Sequence, residues 1–375
     1  MQECSQLKIS KVNILKTKNI IIRHQFESHI KFIKDILLSN ISGIEAIILY
    51  GGYGRGEGCW IKSNDSYNPY NDYDILIILS DGVSKPNNLS TIKNTLLNKI
   101  NIQWIDLSFI HLKSLLNNRN KTIFWYDLIH GSKVIYGDSN ILQKIPIFTS
   151  SDIVINEGKL LFFTRLWPFV GGLNGFQDLS ESEAIFFRYQ MSKVILASVD
   201  MILLMRGLYV SSYVERCNNA IKICKKDRPY DEELINWALN QKLSPSNQIM
   251  TNKDAIKLQN RVAEIYANYS LKLLSQVNDK NFSSIIQFKE FYSNSFIEKS
   301  KIFAGFLLRK KTDYKLLFVL NILQLLIISN ILGEISLDYT IKESNKLLKR
   351  LGFSSISDIN SLKALIANEL SLIHI

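Results

Sequence analysis

Asp72 and Asp74 stand one residue apart at the head of an apolar run, and Asp106 interrupts a later one. In an extended strand, residues i and i+2 point to one face, so Asp72 and Asp74 project together. Asp106 replaces an apolar residue within IQWIDLSFI, a stretch that otherwise reads as buried. A carboxylate there carries a heavy desolvation cost unless it is protonated, paired or bound to a metal. If the two runs are neighbours in one sheet, three carboxylates converge, and such a group repels itself unless a cation sits between its members. Hard oxygen donors in one crowded cluster suit Mg²⁺ or Mn²⁺.

A second feature lies just upstream. The β-forming run IEAIILY, Ile44 to Tyr50, ends abruptly in Gly51-Gly52-Tyr53-Gly54-Arg55-Gly56-Glu57. Glycines lack a Cβ, so this backbone can approach a ligand closely and present its N–H groups to phosphate. Arg55 offers a charged contact to phosphates, and pairing with Glu57 or with an aspartate is equally open to it. Phosphate on a glycine turn, beside metal on carboxylates, is the arrangement that phosphoryl or nucleotidyl transfer requires. Rival motifs fit less well. A Walker A loop needs Gly-Lys-Ser/Thr, which is absent, and a dinucleotide fingerprint needs glycine where Glu57 stands. Metal-dependent glycosyltransferases place an acid pair after an apolar strand, whereas here the apolar run follows the pair.

The elements that must position these residues are legible in the pattern. A short extended piece and an amphipathic helix over about His24–Leu38 lead into the strand Ile44–Tyr50. The polar stretch KSNDSYNPYN reads as loop. Strand Tyr73–Leu79, a helix at about Leu89–Lys99 and a strand Ile102–Ile110 complete an α/β unit. Beyond about residue 150, helical periodicity takes over, with helices expected at 154–167, 181–206, 211–225, 231–241, 252–276, 284–310, 314–332, 339–351 and 359–371. Ser180 reads as the N-cap of a helix that opens on Glu181 and Glu183. His111 and His130 read as surface or satisfied core histidines. Trp60, Trp104, Trp125 and Trp167 read as packing residues.

GGYGRGE, an acid-x-acid pair opening the next strand and a lone acid on a later strand together resemble the DNA polymerase β nucleotidyltransferase superfamily. The glycine motif is closest to that of bacterial uridylyltransferases acting on the PII signalling protein. The resemblance covers about residues 44–110, and Trp125 to Asp138 resembles the end of such a domain. It implies an α+β fold, with a small nucleotidyltransferase domain built on a mixed sheet over 1–145. A larger all-helical acceptor region follows over 146–375, with a further break open near 277–283. It implies two metal ions, Mg²⁺ or Mn²⁺, held by Asp72 and Asp74, with Asp106 completing the site of the ion that activates the acceptor hydroxyl and serving as its base. Gly51 and Gly52, with Gly54 and Arg55, would hold the phosphates of an NTP, and pyrophosphate would leave. In related polymerases and oligonucleotide synthases a helix lysine and a downstream serine hold the triphosphate tail. Lys193, Ser211 and Ser212 have similar spacing, although a snorkelling lysine and a helix N-cap at either serine give the same pattern.

This chain departs from the family in three ways. The stretch Tyr53–Asn71 between turn and acid pair is longer than usual, which places a loop around Ser63–Tyr70. Many members carry serine where Gly52 stands, and no His-Asp doublet marks the hydrolase domain of the bifunctional uridylyltransferases.

Composition frames the rest. The 375 residues allow two or three domains. The formal charge of +11, from 45 basic and 34 acidic residues, favours polyanionic partners or simply reflects a basic surface. The densest basic cluster is Arg309, Lys310, Lys311 and Lys315. Cys4, Cys59, Cys217 and Cys224 form no CxxC pair, and no HExxH occurs, so neither a zinc site nor a disulfide scaffold is expected. The N-terminus MQECSQLKIS lacks the apolar core of a signal peptide, and a cytoplasmic location is expected. Leu316–Leu332 is apolar enough to test as a membrane span, but Asn321, Gln324 and Asn330 interrupt it, and a buried helix without stable membrane insertion is expected. The acceptor is left open among small molecule, protein and RNA end. Two other readings stand beside the enzyme: a non-catalytic nucleotide-binding or antitoxin-like relative, and an RNA-end nucleotidyltransferase.

Overall fold

The structure is a computed structural model that describes residues 2–63, 66–70, 72–102, 104–171, 173, 177–225, 231–295 and 314–373. The fold is α+β, with a small mixed four-stranded sheet in the N-terminal part and a helical part after it. The chain divides into two compact units. One comprises Met1–Asp152 together with Val210–Ser212, and the other comprises Ile153–Tyr209 and Tyr213–Ile375.

In the first unit the elements run α1 (Gln2–Asn40), β1 (Ile44–Tyr50), α2 (Gly51–Gly54), β2 (Trp60–Ser63), β3 (Ser66–Pro69), β4 (Tyr73–Leu79), α3 (Leu89–Ile100), β5 (Ile105–His111), α4 (Leu112–Leu116), α5 (Ile123–His130) and β6 (Lys133–Gly137). The sheet order is β5-β4-β1-β6. β1 pairs antiparallel with β4 and with β6, while β4 and β5 run parallel. A parallel pair needs a crossover, and α3 supplies it.

Alternation splits the sheet into two faces. Ile47, Leu49, Ile75, Ile77 and Leu107 pack with Ile33 and Leu37 of α1 and with Ile92 and Leu96 of α3. Ala46, Ile48, Leu76 and Ile78 pack with Leu115 of α4, Leu128 of α5 and Ile141. Asp74 has the parity of Leu76 and Ile78, so it lies on this second face, at the head of the strand where the apolar cover ends.

Three expectations change in this unit. The predicted extended piece before His24 is part of α1, since no glycine or proline breaks the chain before Gly43. The predicted loop 62–71 contains instead a small hairpin, with Trp60 opposite Pro69 and Ser63 opposite Ser66. Its polar composition suits a two-stranded ribbon outside the main sheet as well as it suits a loop. The third strand begins at Ile105 rather than Ile102, because α3 ends in Asn101 at φ 57° and the chain must turn before it extends.

The second unit is helical: α6 (Asn156–Thr164), α7 (Trp167–Gly171), α8 (Glu181–Leu204), α9 (Tyr213–Cys224), α10 (Asp231–Leu243), α11 (Asn252–Asn278), α12 (Ile285–Asn294), α13 (Tyr314–Ile331), α14 (Leu337–Arg350) and α15 (Ile359–Ile373). The helix expected over 154–167 ends at Thr164, and a separate short helix begins at Trp167. The far part of the helix expected over 284–310, and Arg309, Lys310 and Lys311 with it, lie outside the described residues. α8 is buried along most of its length and packs against α9, α10 and α11. α13 is long and apolar enough to cross a membrane by length and composition, yet 61% of that stretch is buried within the fold. Its Leu320, Leu323, Leu326 and Ile327 join Leu348, Leu362 and Ile366 in one apolar cluster.

α8 starts as the sequence predicts. The Glu183 N–H donates to Ser180 Oγ at 3.5 Å, and the Ser180 N–H donates to Glu183 Oε2 at 3.0 Å, a reciprocal capping box. Ser180→Ala should therefore lower stability by about 1 kcal/mol, read as an earlier urea midpoint at neutral pH. Hydrogen bonds from the Ser180 hydroxyl and backbone hold the Glu183 carboxyl below its ordinary value of 4.5. A depressed carboxylate stabilises above its unfolded value and loses that contribution as pH falls through the folded one. The difference between Ser180→Ala and wild type should accordingly narrow in acid.

Candidate metal centre

Asp72, Asp74 and Asp106 come together as the spacing requires. Each is half-buried, and each offers a carboxylate oxygen within 4.8 Å of the others. The parallel register sets Asp74 directly beside Asp106, while Asp72 stands one residue before β4 on the same face. A cluster this tight is close enough to hold a metal ion.

The glycine turn abuts it. β1 ends at Tyr50, which is in register with Asp74. The chain then enters α2 through Gly51 at φ +65°, a conformation open to glycine at no steric cost and strained for most other residues. A Cβ on Gly51 would lie 1.9 Å from Asp74 Oδ2, so the bare backbone is what allows the turn to sit against the carboxylates. At Gly52 a Cβ would meet nothing nearer than the Glu57 carbonyl oxygen at 3.5 Å, an ordinary contact. The Glu57 N–H returns to the Gly52 carbonyl at 2.8 Å, and the Arg55 N–H to the Gly51 carbonyl at 3.3 Å, closing the turn. Gly54 completes the short helix.

Arg55 is buried in a charge network. Its Nη1 lies 3.1 Å from Asp127 Oδ2 on α5, and its Nε lies 3.4 Å from Glu57 Oε2. Of the roles left open for this guanidinium, pairing with Glu57 and an aspartate is the one seen. Its side chain is 7% exposed, so the pairing ties the turn to α5. Asp127→Asn keeps the shape and removes the charge. The first unit should lose about 1.5 kcal/mol, measurable by urea unfolding, the typical size for a charge-assisted hydrogen bond with partial solvent access.

Ser211 and Ser212 belong to the first unit. Ser212 Oγ donates to Glu57 Oε1 at 2.8 Å, and Ser211 Oγ donates to the His130 carbonyl at 3.3 Å. Ser212 thus extends the Arg55–Glu57 network, while Ser211 bonds the end of α5. Lys193 belongs to the second unit. It lies on α8 with Nζ 4.9 Å from the centre of the Tyr189 ring. Lys242 hydrogen-bonds the same tyrosine's hydroxyl, and Arg216 pairs with Asp200 at 2.8 Å beneath Tyr209 and Tyr213.

Three side chains at the site carry no signal in the sequence motif. Tyr50 is one. Burial pushes its hydroxyl up to about 12; a hydrogen bond with Ser108 opposes this, and the charges of Asp74, Asp106 and Asp72 add lesser upward effects. Ser108 is the second, and Asp127 the third. Strand register could have flagged Tyr50, since it immediately precedes the glycines and shares the parity of the aspartates only once β1 is set beside β4.

Trp60, Trp125 and Trp167 pack as expected against apolar clusters. Trp104 does not: it is 56% exposed, with Lys93 Nζ 5.5 Å from the ring centre. It precedes β5, an edge strand, so only one neighbouring strand can cover it. His111 Nε2 meets the Val83 carbonyl at 2.9 Å and His130 packs on Tyr126, consistent with satisfied histidines. Comparison with protein-family models gives no match to this chain, and comparison with curated protein sequences gives no significant match either.

Proposed function

We propose that this protein is a metal-dependent nucleotidyltransferase that moves a nucleoside monophosphate from an NTP to an acceptor hydroxyl or phosphate. The observation that carries the reading is the meeting of Asp72, Asp74 and Asp106 within 4.8 Å, against a turn whose Gly51 leaves no room for a Cβ beside Asp74. The donor set fits Mg²⁺ or Mn²⁺, being all oxygen, anionic and partly open to solvent. Asp72 and Asp74 would hold both of two ions, and Asp106 would complete one site. When bound, such ions neutralise phosphate charge and lower the pKa of an acceptor hydroxyl.

The chain's own residues divide the remaining work. Backbone N–H groups of the turn Gly51–Gly54 orient the triphosphate, with the turn held rigid by Arg55, Glu57 and Asp127. Asp106 receives the acceptor's proton. The acceptor oxygen bonds to the α-phosphorus as the bond to the bridging oxygen breaks, and that electron pair leaves with pyrophosphate. The net charge of +11 agrees with handling polyanions.

The test is a screen of four α-labelled NTPs with Mg²⁺ or Mn²⁺ against cell extract, followed by identification of the labelled product. A labelled small molecule, protein or RNA end names the acceptor class. Steep loss of RNA binding with salt, joined to RNA labelling, selects the RNA-end enzyme. No label from any NTP, with NTP binding indifferent to Mg²⁺ in calorimetry, selects the non-catalytic relative.

A further inference from the structure

Between Gly82 and Tyr126 the chain carries Lys85, Lys93, Lys99, Lys113, Arg119 and Lys121 against a single acid, Asp106. At the chain's overall frequency of 34 acids in 375 residues, about four would be expected there. Six basic residues less one acid place +5 of the chain's net +11 in this stretch. It holds α3, β5 and α4, and both helices pack against β5, the edge strand that pairs only with β4. Lys85, Lys99, Lys113 and Arg119 are exposed. Lys121 is held by Asp152 at 2.7 Å, and Asp81, just before the stretch, accepts from the Lys113 backbone N–H. Among the described residues, Lys85, Lys93, Lys99, Lys113 and Arg119 enter no ion pair.

Two aromatic rings are set among these cations. Trp104, just before β5, is 56% exposed, with Lys93 Nζ 5.5 Å from its ring centre. Phe109 on β5 is half-buried, with Lys85 Nζ 5.6 Å from its own. A single exposed aromatic is ordinary on a protein surface. Two ring–lysine pairs along one acid-poor edge strand are a more specific combination. Single-stranded nucleic acid is held in this way, by cations that follow the phosphates and rings on which bases stack. Trp104 and Phe109 stand five residues apart, roughly 16 Å in an extended chain, so the pairs mark a path rather than a point. An indole has two faces, and at this exposure the ring keeps surface for a partner besides Lys93. A duplex would meet the lysines but has no unstacked base to offer the ring.

We propose that the β5 edge, with Lys85, Lys93, Lys99, Trp104 and Phe109, is a docking surface for single-stranded nucleic acid: the lysines meet its phosphates, and a base stacks on Trp104. Trp104 lies two residues before Asp106, at the end of β5 that carries the acidic site. The bound oligonucleotide is the acceptor in so far as the nucleotidyltransferase reading holds. Binding itself stands on the ring–lysine edge and requires no metal.

The experiment follows a fluorescein-labelled oligouridylate of about 12 nucleotides, a length within the range of single-strand sites, by anisotropy with the full-length protein. It runs without NTP or divalent ion, over a series of salt concentrations. Wild type should bind, with log affinity falling linearly in log salt. Trp104→Ala should bind about tenfold more weakly, with the salt slope unchanged because the ring is uncharged, and Trp104→Phe should recover part of the loss. Lys85→Gln and Lys93→Gln should each make the slope shallower by about 0.7. A duplex of the same length should compete poorly. Four results overturn the proposal: no binding by wild type, wild-type affinity in Trp104→Ala, a slope untouched by both lysine variants, or a duplex that competes as well as the single strand. If Trp104→Ala proves unstable, Trp104→Phe and the lysine slopes decide in its place. Protein that binds the oligonucleotide yet transfers no NMP removes the nucleotidyltransferase reading and supports this surface. Protein that labels another acceptor and binds no oligonucleotide removes this surface alone.

Discussion

Replacing Asp74 with Asn should lower metal-dependent nucleotidyl transfer by about 10³-fold or more while leaving the protein folded. The size follows from what the carboxylate is asked to do. A divalent ion supplies several kcal/mol of transition-state charge stabilisation, and each 1.36 kcal/mol is about a factor of ten in rate. Asp74 is the central member of the triad, beside Asp106 through the ladder and beside Asp72 through the strand. The fold should survive for an equally specific reason. Without metal, three carboxylates within 4.8 Å repel one another, and Asn removes one of the charges at constant shape. The metal-free variant should melt at or above wild type, and added Mn²⁺ should no longer raise its melting temperature. The readouts are α-labelled NTP incorporation, melting and Mn²⁺ calorimetry on one preparation. Incorporation retained by a folded Asp74→Asn would remove the triad from the mechanism.

The triad was legible because it depends on two local rules and one assumption. Alternation puts Asp72 and Asp74 on one face from sequence alone. A carboxylate amid IQWIDLSFI announces that its strand opens onto something polar. The assumption was that β5 lies beside β4, and the strand–helix–strand order makes that the natural outcome of a crossover. Tyr50 and Ser108 fall outside this logic. Their relation to the aspartates runs sideways, from β1 across β4 to β5, and lateral register is a tertiary property that no window of sequence encodes. The same holds for Asp127, whose partner Arg55 is far away along the chain. Among the described helices, most bounds agree with the periodicity to within a few residues, since an apolar stripe or a capping serine marks them. The exceptions are physical too. α1 extends toward the N-terminus because nothing stops it, and the hairpin β2–β3 forms from residues with loop composition because a two-stranded ribbon outside the main sheet need not be apolar.

Gly51→Ala and Gly52→Ala should part company sharply, although they are neighbours in one motif. At Gly51 two penalties coincide. The backbone at φ +65° disfavours an L-residue by roughly 1–2 kcal/mol. The new methyl would also stand 1.9 Å from Asp74 Oδ2, so the carboxylate must swing out of the triad or the turn must move. Either response shifts the groups proposed to meet the metal and the phosphates, and a misplacement of about 1 Å can lower turnover by about 10²-fold. Gly51→Ala should therefore lose Mn²⁺ affinity and about 10²-fold in nucleotidyl transfer, with a lowered melting temperature. At Gly52 the φ is not positive and a Cβ has 3.5 Å to its nearest neighbour, so melting and Mn²⁺ affinity should stay near wild type. The contrast separates two accounts of the motif. If the glycines serve only to make a tight bend, the two variants differ in stability alone, and Mn²⁺ affinity should be the same in each once folded. If Gly51 is there because the backbone must lie against Asp74, the loss of Mn²⁺ binding belongs to Gly51→Ala and persists at temperatures where that variant is fully folded. Equal Mn²⁺ affinities in the two folded variants would break the link between the turn and the carboxylates on which the nucleotidyltransferase reading depends.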